Sequence, residues 1–288
     1  MQRILTYLVK AISYLPFSVL YTISTFLYFV VYRLLGYRKE VVERNLTLSF
    51  PEKSKEEINQ IMDRFYRNLC DVLVESIKMI SMSENELRTH ATSPEHCLLD
   101  RLNAEGRTCF YFAGHLGNWE WSPNVAGLAS QVKLWGVYTK ITNKAFNKLI
   151  TKYRSRFGCE MILMEHIARR VLTDKDVKNI CFIADQTPSN PEANIWVDFM
   201  NQQTLAFSAS AKLAKKINAV IIYASIIRKS RGYYEYKFEV LFENPQLYSE
   251  QEIMQAFFSR LEKDIRKHPV LWLWSHKRWK HKPKETLH

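Results

Sequence analysis

Glycine is scarce in this sequence, and nothing in it resembles a flexible linker. Only eight of the 288 residues are glycine, no stretch is rich in proline, glycine or serine, and no unit of about 20 to 50 residues repeats. A repeat architecture and a string of tethered domains are therefore excluded. Hydrophobic residues make up 47% of the chain, which is enough for one large domain, alone or with a small appendage.

The cysteines lack the number and spacing of a disulfide or metal framework. No C-x-x-C pair occurs, and the spacing is irregular among Cys70, Cys97, Cys109, Cys159 and Cys181. We therefore expect no disulfide framework, no zinc site and a reducing compartment. The motifs H-E-x-x-H and G-x-S-x-G are also absent, so we expect no bound metal, no cofactor and no serine nucleophile at a strand-to-helix turn.

Acidic residues are missing from much of the C-terminal part, in a chain whose formal net charge is +12. The basic residues that follow one another there without an acid are Arg266, Lys267, Lys277, Arg278, Lys280, Lys282 and Lys284. Such a charge suits nucleic acid, an anionic membrane or an acidic protein. Because Trp272, Trp274 and Trp279 are interleaved, we expect a membrane-interface surface, with a solvated basic tail as the alternative. No nucleic-acid motif is present, so no nucleic-acid partner is expected.

Charge is also absent from residues 11–32, "AISYLPFSVLYTISTFLYFVVY". About 20 apolar residues span a bilayer core, but this segment contains several serines and threonines and a proline. A spanning anchor, a helix lying in the interface and an ordinary buried helix all remain open. No small-x-small cleavage site follows, which argues against a signal peptide. We divide the chain into an N-terminal membrane anchor or interfacial helix, 1–37, and a main domain, 38–288, with a basic aromatic C-terminal segment.

Apolar runs typical of strands alternate with helical patterns in the main domain. The strand candidates are 108–113, 133–138, 160–164, 179–184 and 219–227, and the helical patterns are 53–81, 142–157, 165–175, 204–217 and 249–267. Strands that are apolar throughout and separated by helices indicate a parallel sheet covered on both faces. The run "SRGYYEYKFEVLF" alternates by two and predicts an antiparallel partner. The fold class is therefore α/β, with a mostly parallel mixed sheet flanked by helices and an N-terminal membrane-associated helical segment.

The stretch "GHLGNWEW", residues 114–121, follows the first of these strands, and "ADQT", residues 184–187, follows another. Ligands in open α/β sheets tend to bind beyond the carboxyl ends of the strands. A histidine and a carboxylate in reach of each other form a general base near neutral pH. Gly114 and Gly117 give the turn the freedom to bring His115 and Glu120 together. By spacing alone, a polar turn between a strand and a helix explains the same residues.

"GHLGNWEW" resembles the H-x4-D/E motif of the lysophospholipid and lipid A acyltransferases, in the H-x4-E form of the lipid A acyltransferases that add secondary acyl chains. Further segments are similar to elements of that family in the same order. They are "RNLTLSFPEKSKEE" (44–57), "VYTKITNKAFNKLITKYRSRFG" (137–158), "IADQTP" (183–188), "FMNQQTLAFSASAKLAKKINA" (199–219) and "LWLWSHKRWK" (271–280). The similarity covers roughly residues 38–280, and this ordered set is far more specific than the histidine motif alone.

The resemblance implies transfer of a fatty acyl group from a thioester, carried by acyl-carrier protein, to a hydroxyl of an anionic lipid. His115 would be the general base, and Glu120 would orient and support it. Backbone N–H groups around Gly117 and Asn118 are candidate donors to the oxyanion. The protein is then expected at the cytoplasmic face of the inner membrane. A basic surface would attract both the acidic carrier protein and the lipid.

Further substrate-binding residues follow from the same resemblance. Arg154 and Arg156 resemble the family's arginine position and could hold a phosphate, with a solvated basic helix face as the alternative. Asp185 and Gln186 could position substrate or brace the active loop, with a purely structural role as the alternative. Thr204 resembles a threonine that opens a helix ahead of a strand, and we expect it to contact substrate.

The chain departs from the family pattern in two loops, which puts the identity of the substrate in doubt. A Phe-Phe-Gly turn and a Thr-Gly pair are replaced by "FMN" and "TLA", and "PSNPEANIW" after "ADQT" has no glycine. Acylation of an amino-acid lipid, a lysophospholipid or a mannosylated phosphoinositide therefore stays open. So does a non-catalytic basic protein that binds membrane surfaces.

Overall fold

The computed structural model describes residues 2–93, 96–176, 178–188, 190 and 195–283. Part of the "PSNPEANIW" loop and Lys284 lie outside these ranges, and of Cys97 only the backbone is described. The helices are α1 (Gln2–Ser13), α2 (Phe17–Tyr28), α3 (Lys39–Ser49), α4 (Lys55–Lys78), α5 (Glu84–His90), α6 (His96–Ala104), α7 (Ser122–Ala129), α8 (Lys144–Arg154), α9 (Met164–Thr173), α10 (Ala209–Ile217) and α11 (Glu250–Lys267). A π-helical turn, Phe29–Leu34, continues α2.

The strands form a seven-stranded sheet and a separate two-stranded hairpin. Their bounds are β1 (Ala91–Thr92), β2 (Cys109–Ala113), β3 (Lys133–Tyr138), β4 (Cys159–Leu163), β5 (Lys178–Ile183), β6 (Ile195–Phe199), β7 (Gln202–Ala206), β8 (Val220–Ser230) and β9 (Tyr233–Phe242). The order in the large sheet is β1-β9-β8-β2-β5-β3-β4, and β6 pairs with β7. Among the described residues of the large sheet, β8 and β9 are the one antiparallel pair. The predicted α/β class and the antiparallel strand after the fifth parallel candidate are confirmed.

Alternate side chains of a strand point to opposite faces of the sheet, and the two faces of this sheet have different surroundings. Phe110 and Phe112 of β2 pack into the main core, where Phe112 meets Phe257 of α11 with ring centroids 5.8 Å apart. Tyr111 and Ala113, which alternate with them, point to the face beneath α7. The site described below lies on this second face.

The helical pattern predicted for 204–217 is wrong in its first part. Residues 202–206 form β7, and the helix begins only at Ala209. The β6–β7 hairpin turns at Met200 and Asn201, which both have positive φ, and this turn places Thr204 opposite Val197 in the ladder. Pairing with β6 overrides the helical spacing, and Thr204 therefore does not open a helix.

The tryptophans of the C-terminal segment do not form the expected interfacial surface. Trp272 is 2% exposed and Trp274 is 0% exposed. Arg278 is equally buried, and its Nη2 donates to the carbonyl of Leu205 at 2.7 Å. The aromatic part of this segment therefore belongs to the core, where Trp272 packs against Phe199 of β6 and Trp274 against Phe50.

Candidate active site

Two neighbouring strand ends bring together the residues of "GHLGNWEW" and "ADQT". Strands β2 and β5 are adjacent and parallel, with Ala113 opposite Ile183. The ladder continues one step further, where the amide of Ala184 donates to the carbonyl of Ala113 at 2.9 Å. His115 and Asp185 are the residues that follow, and parallel strands end at the same edge of the sheet. The two side chains therefore meet.

Asp185 holds the His115 ring in one orientation. Its Oδ1 lies 2.6 Å from His115 Nδ1, and its Oδ2 accepts the His115 backbone N–H at 2.9 Å. Oδ2 also accepts the indole N–H of Trp272 at 2.7 Å. Burial would raise the pKa of Asp185, but the charge and hydrogen bonds of His115 and the bond from Trp272 lower it to about 2. An ionised carboxylate only accepts hydrogen bonds, so in the neutral imidazole of His115 Nδ1 carries the proton and Nε2 has the lone pair.

The lone pair of His115 Nε2 faces Gln186 and the cavity described below. Gln186 Nε2 lies 3.0 Å away and donates its amide hydrogen to the ring nitrogen. The ring of Trp119 packs edge-on against the imidazole, with centroids 5.3 Å apart. The imidazole is 15% exposed. A hydroxyl group that enters the cavity can therefore reach Nε2 by displacing the Gln186 amide.

Glu120 pairs with Arg154 in this structure and not with His115. The guanidinium Nη2 lies 2.8 Å from Oε1 and 2.7 Å from Oε2, and Nε lies 3.1 Å from Oε2. The Tyr153 hydroxyl donates to Oε2 at 3.0 Å, and burial raises the pKa of this phenol. The expected contact of Glu120 with the histidine ring is therefore not made in this structure, because the short helical turn Trp119–Trp121 carries Glu120 towards the end of α8.

The turn between His115 and Glu120 is fixed from the interior. Gly117 has φ +60°, and a Cβ there would lie 2.9 Å from Ile226 Cγ2. Its amide donates to the carbonyl of Leu271 at 3.1 Å. The Gly117 amide thus has a partner in the protein, and the assignment of the backbone N–H groups around Gly117 and Asn118 to the oxyanion stays a prediction. The Asn118 side chain points inward to Glu75 of α4, with Nδ2 to Oε2 at 2.7 Å.

Two predicted substrate-binding residues lie away from this cluster. Arg156 is exposed and bonds to the carbonyl of Met79. Thr204 is buried on β7, where its hydroxyl accepts the indole N–H of Trp279 at 2.7 Å. Neither residue is among those that line the cavity at His115. Their assignment to substrate binding stays a prediction.

A cavity of about 290 Å³ extends from His115 between α7 and the sheet. Small residues on the sheet leave this space open: Ala113 stands opposite Ala224, and Gly136 opposite Cys181. The polar groups around it include His115, Glu120, Arg154 and Gln186. The apolar part of the lining is formed by Val125, Ala126, Val137, Met161, Ile226 and Phe238. A long apolar substrate with one reactive polar end fits this distribution.

Sequence reasoning missed Trp272 and Tyr153 as residues of the site. Trp272 was expected at a membrane interface, whereas it donates to the carboxylate that holds the base. Tyr153 precedes the arginine that the sequence singled out, and its contact with Glu120 depends on where α8 ends. The segment "LWLWSHKRWK" resembles a family element, but this resemblance does not indicate whether its tryptophan side chains point to the core or to a membrane.

Comparison with known proteins gives matches along nearly the whole chain. The model of the bacterial lipid A biosynthesis acyltransferases matches residues 3–281. A lipid A biosynthesis palmitoleoyltransferase of Escherichia coli (strain K12) is 23% identical over 273 residues, or 93% of this chain and 87% of that protein. A lipid A biosynthesis acyltransferase of Shigella flexneri shows the same identity and coverage. The matched range of the family model contains the whole cluster around His115.

Proposed function

The chain belongs to the bacterial lipid A biosynthesis acyltransferase family, and we propose that it transfers a fatty acyl chain from acyl-carrier protein to a hydroxyl of a lipid A precursor, with His115 as general base. Acyl transfer in lipid A synthesis follows from the family. The donor, the acceptor hydroxyl and the roles of the residues are the proposal. The observation that carries it is a histidine held by a buried carboxylate at an apolar cavity.

The chemistry begins at His115 Nε2, which removes the proton of the acceptor hydroxyl as the oxygen attacks the thioester carbonyl. Asp185 accepts the Nδ1–H throughout and stabilises the imidazolium that forms. The C–S bond of the tetrahedral intermediate then breaks and releases the thiolate. A thiol has a pKa near about 8.5, so the thiolate leaves readily and then takes the proton from the imidazolium. The products are the acylated lipid and the free thiol of the carrier.

Gln186 and Arg154 contact substrate in this proposal. When the acceptor hydroxyl takes the place of the Gln186 amide at Nε2, that amide becomes a donor beside the reacting carbonyl. The contacts of Arg154 with Glu120 use Nε and Nη2, and we assign Nη1 to a phosphate of the acceptor. Glu120 then acts by holding the guanidinium at the cavity.

The test is an acyl-transfer assay with purified full-length protein in detergent micelles. Labelled acyl groups are supplied on carrier protein or on coenzyme A, and lipid products are identified by mass spectrometry. We expect one labelled acyl chain on a lipid A precursor. Acylation of an amino-acid lipid or a lysophospholipid instead would overturn the acceptor assignment, and equal use of both thioesters would overturn the donor assignment. Absence of transfer to every acceptor would favour the non-catalytic, membrane-binding alternative.

The acyl chain lies in the cavity beneath α7 in this proposal. We predict that Cys181→Phe, which fills space in the middle of the lining, shortens the preferred acyl chain. Each methylene withdrawn from the cavity forfeits about 0.8 kcal/mol, so exclusion of two changes the ratio of kcat/KM between chain lengths by about 15-fold. The measurement is kcat/KM for a series of acyl thioesters.

Cys181→Ser is the matched control, since it keeps the volume of the side chain and should leave the ratio unchanged. If Cys181→Phe lowered kcat/KM equally for all chain lengths, the chain would not lie against this part of the cavity.

The N-terminal helices have an exposed apolar face, and we propose that they lie in the membrane interface. By length and composition Phe17–Leu34 could cross a bilayer. However, α2 packs along α4, where Ser24 donates to Asp71 at 2.6 Å and Tyr21 donates to Glu75 at 3.0 Å. A spanning α2 would carry these carboxylates into hydrocarbon, which is costly. The exposed large side chains here are Tyr7, Leu8, Tyr14, Val19, Phe26, Phe29, Leu34, Leu35 and Tyr37.

We predict that replacement of Phe26, Leu34 and Leu35 by serine weakens binding to anionic phospholipid vesicles by on the order of 10²-fold or more, because each substitution removes an exposed apolar side chain that would be buried in the membrane interface. Vesicle co-sedimentation measures the partition coefficient. Leu247→Ser removes an apolar side chain that is as exposed as these three but lies elsewhere on the protein, and this variant should bind as wild type does. Unchanged binding of the triple variant would contradict the assignment.

A further inference from the structure

Glu75 is a buried carboxylate that connects three parts of the fold. It lies on α4 and has no exposed surface. Its Oε1 accepts the hydroxyl hydrogen of Tyr21, on α2, at 3.0 Å. Its Oε2 accepts from Tyr234 of β9 at 2.8 Å and from Asn118 Nδ2 at 2.7 Å. A single side chain therefore contacts the N-terminal helix, the sheet and the turn that carries His115.

Asn118 transmits this contact to the backbone of the catalytic turn. Its Oδ1 accepts the backbone N–H of Trp121 at 3.2 Å, which starts the short helical turn containing Glu120. Its carbonyl accepts the hydroxyl of Tyr236 at 2.7 Å. The Trp121 indole in turn donates to the backbone carbonyl of Glu75 at 3.0 Å. The path from His115 to Glu120 is thus anchored on Glu75 at two points.

We infer that Glu75 is a positioning residue for the catalytic turn and that, through Tyr21, it makes the geometry of that turn depend on the docking of α2. The inference builds on the proposed function, because α2 belongs to the surface assigned to the membrane. A carboxylate suits this position because it accepts from donors on three elements, whereas an apolar side chain of the same size would leave the Asn118 amide unpaired. An α2 that lifts from α4 removes one of the three donors.

Ser24 supplies a matched comparison for Tyr21. Both hydroxyls lie on α2 and both donate to a carboxylate of α4, but Ser24 contacts Asp71. Tyr21→Phe and Ser24→Ala therefore each remove one hydrogen bond that docks α2, and only the first touches Glu75. Glu75→Gln can keep its oxygen towards Asn118 and Tyr234 and turn its amide to the Tyr21 hydroxyl, which can also accept. Glu75→Leu removes every contact of the carboxylate.

The experiment combines acyl-transfer kinetics with amide hydrogen exchange of residues 114–121 in full-length protein. We expect Tyr21→Phe to lower kcat about fivefold, the equivalent of one hydrogen bond, with unchanged KM and faster exchange in the turn. Ser24→Ala should leave both measurements as in wild type. Glu75→Leu should lower kcat about 10²-fold, and Glu75→Gln should restore most of the loss.

Equal effects of Tyr21→Phe and Ser24→Ala would show that α2 acts by docking alone and would overturn the role of Glu75. Wild-type kinetics and exchange in Glu75→Leu would overturn it as well. The exchange measurement needs no substrate, so it tests the positioning role even if the protein transfers no acyl chain in the assay. A melting temperature for each variant separates loss of fold from loss of position: lower stability with unchanged exchange in the turn also counts against the inference.

Discussion

Replacement of His115 by asparagine is expected to lower acyl transfer by about 10² to 10⁴-fold and to leave the fold intact. The asparagine amide can still donate to Asp185 Oδ1 in place of the Nδ1–H, so the buried carboxylate keeps its partners. What is lost is the Nε2 lone pair, and a positioned general base contributes a factor of this size. The measurement is single-turnover acyl transfer from labelled acyl-carrier protein.

His166→Asn is the matched control for this prediction. His166 is exposed on α9, next to Glu165, and we expect its replacement to leave the rate unchanged. A His115→Asn variant that transfers acyl chains at the wild-type rate, with a wild-type melting temperature, would remove His115 from the mechanism. Uniform loss of rate in both variants would point to preparation effects and would equally fail to support a base at His115.

The sequence predicts which residues form the site better than it predicts which of them contact one another. Strands 108–113 and 179–184 are apolar and β-rich, so their positions in the chain are readable from the sequence. That they are adjacent in the sheet is not, because strand order depends on crossover connections between elements distant in sequence. His115 and Asp185 therefore stood out as residues at strand ends, while the five-residue spacing to Glu120 suggested a contact that this structure does not make.

Two local patterns misled for a related reason. Residues 204–217 have helical spacing, but the first of them pair with β6 in a hairpin whose turn places non-glycine residues at positive φ. Indole side chains are common both at membrane interfaces and in protein cores, so the sequence around Trp272 and Trp274 does not decide between the two. Tertiary packing decides such cases, and it is not encoded in a short window of sequence.

The roles of Glu120 and Asp185 in supporting the base are best distinguished by replacing one carboxylate at a time with its amide. The asparagine side chain in Asp185→Asn has one oxygen where the carboxylate has two. Oδ2 now accepts two hydrogens, from the His115 amide and the Trp272 indole, so the asparagine oxygen belongs there and its NH₂ group faces His115 Nδ1. Two donors cannot face each other, and the ring proton moves to Nε2. The histidine is then held in the tautomer that cannot act as a base.

We therefore expect Asp185→Asn to lower kcat by about 10² to 10⁴-fold, as the wrong tautomer does in other His–Asp pairs. Glu120→Gln leaves the His115–Asp185 contact untouched and serves as the comparison, with a smaller loss that is expressed in the binding of the anionic acceptor through Arg154. Single-turnover rates and the KM for the acceptor separate the two effects. If Asp185→Asn kept most of the activity while Glu120→Gln abolished it, Glu120 would be the carboxylate that serves the base, reached by a rearrangement of the turn when substrate binds. We expect the larger loss in Asp185→Asn because the single oxygen of an asparagine cannot accept hydrogen bonds from the His115 amide, the Trp272 indole and the His115 Nδ1–H together.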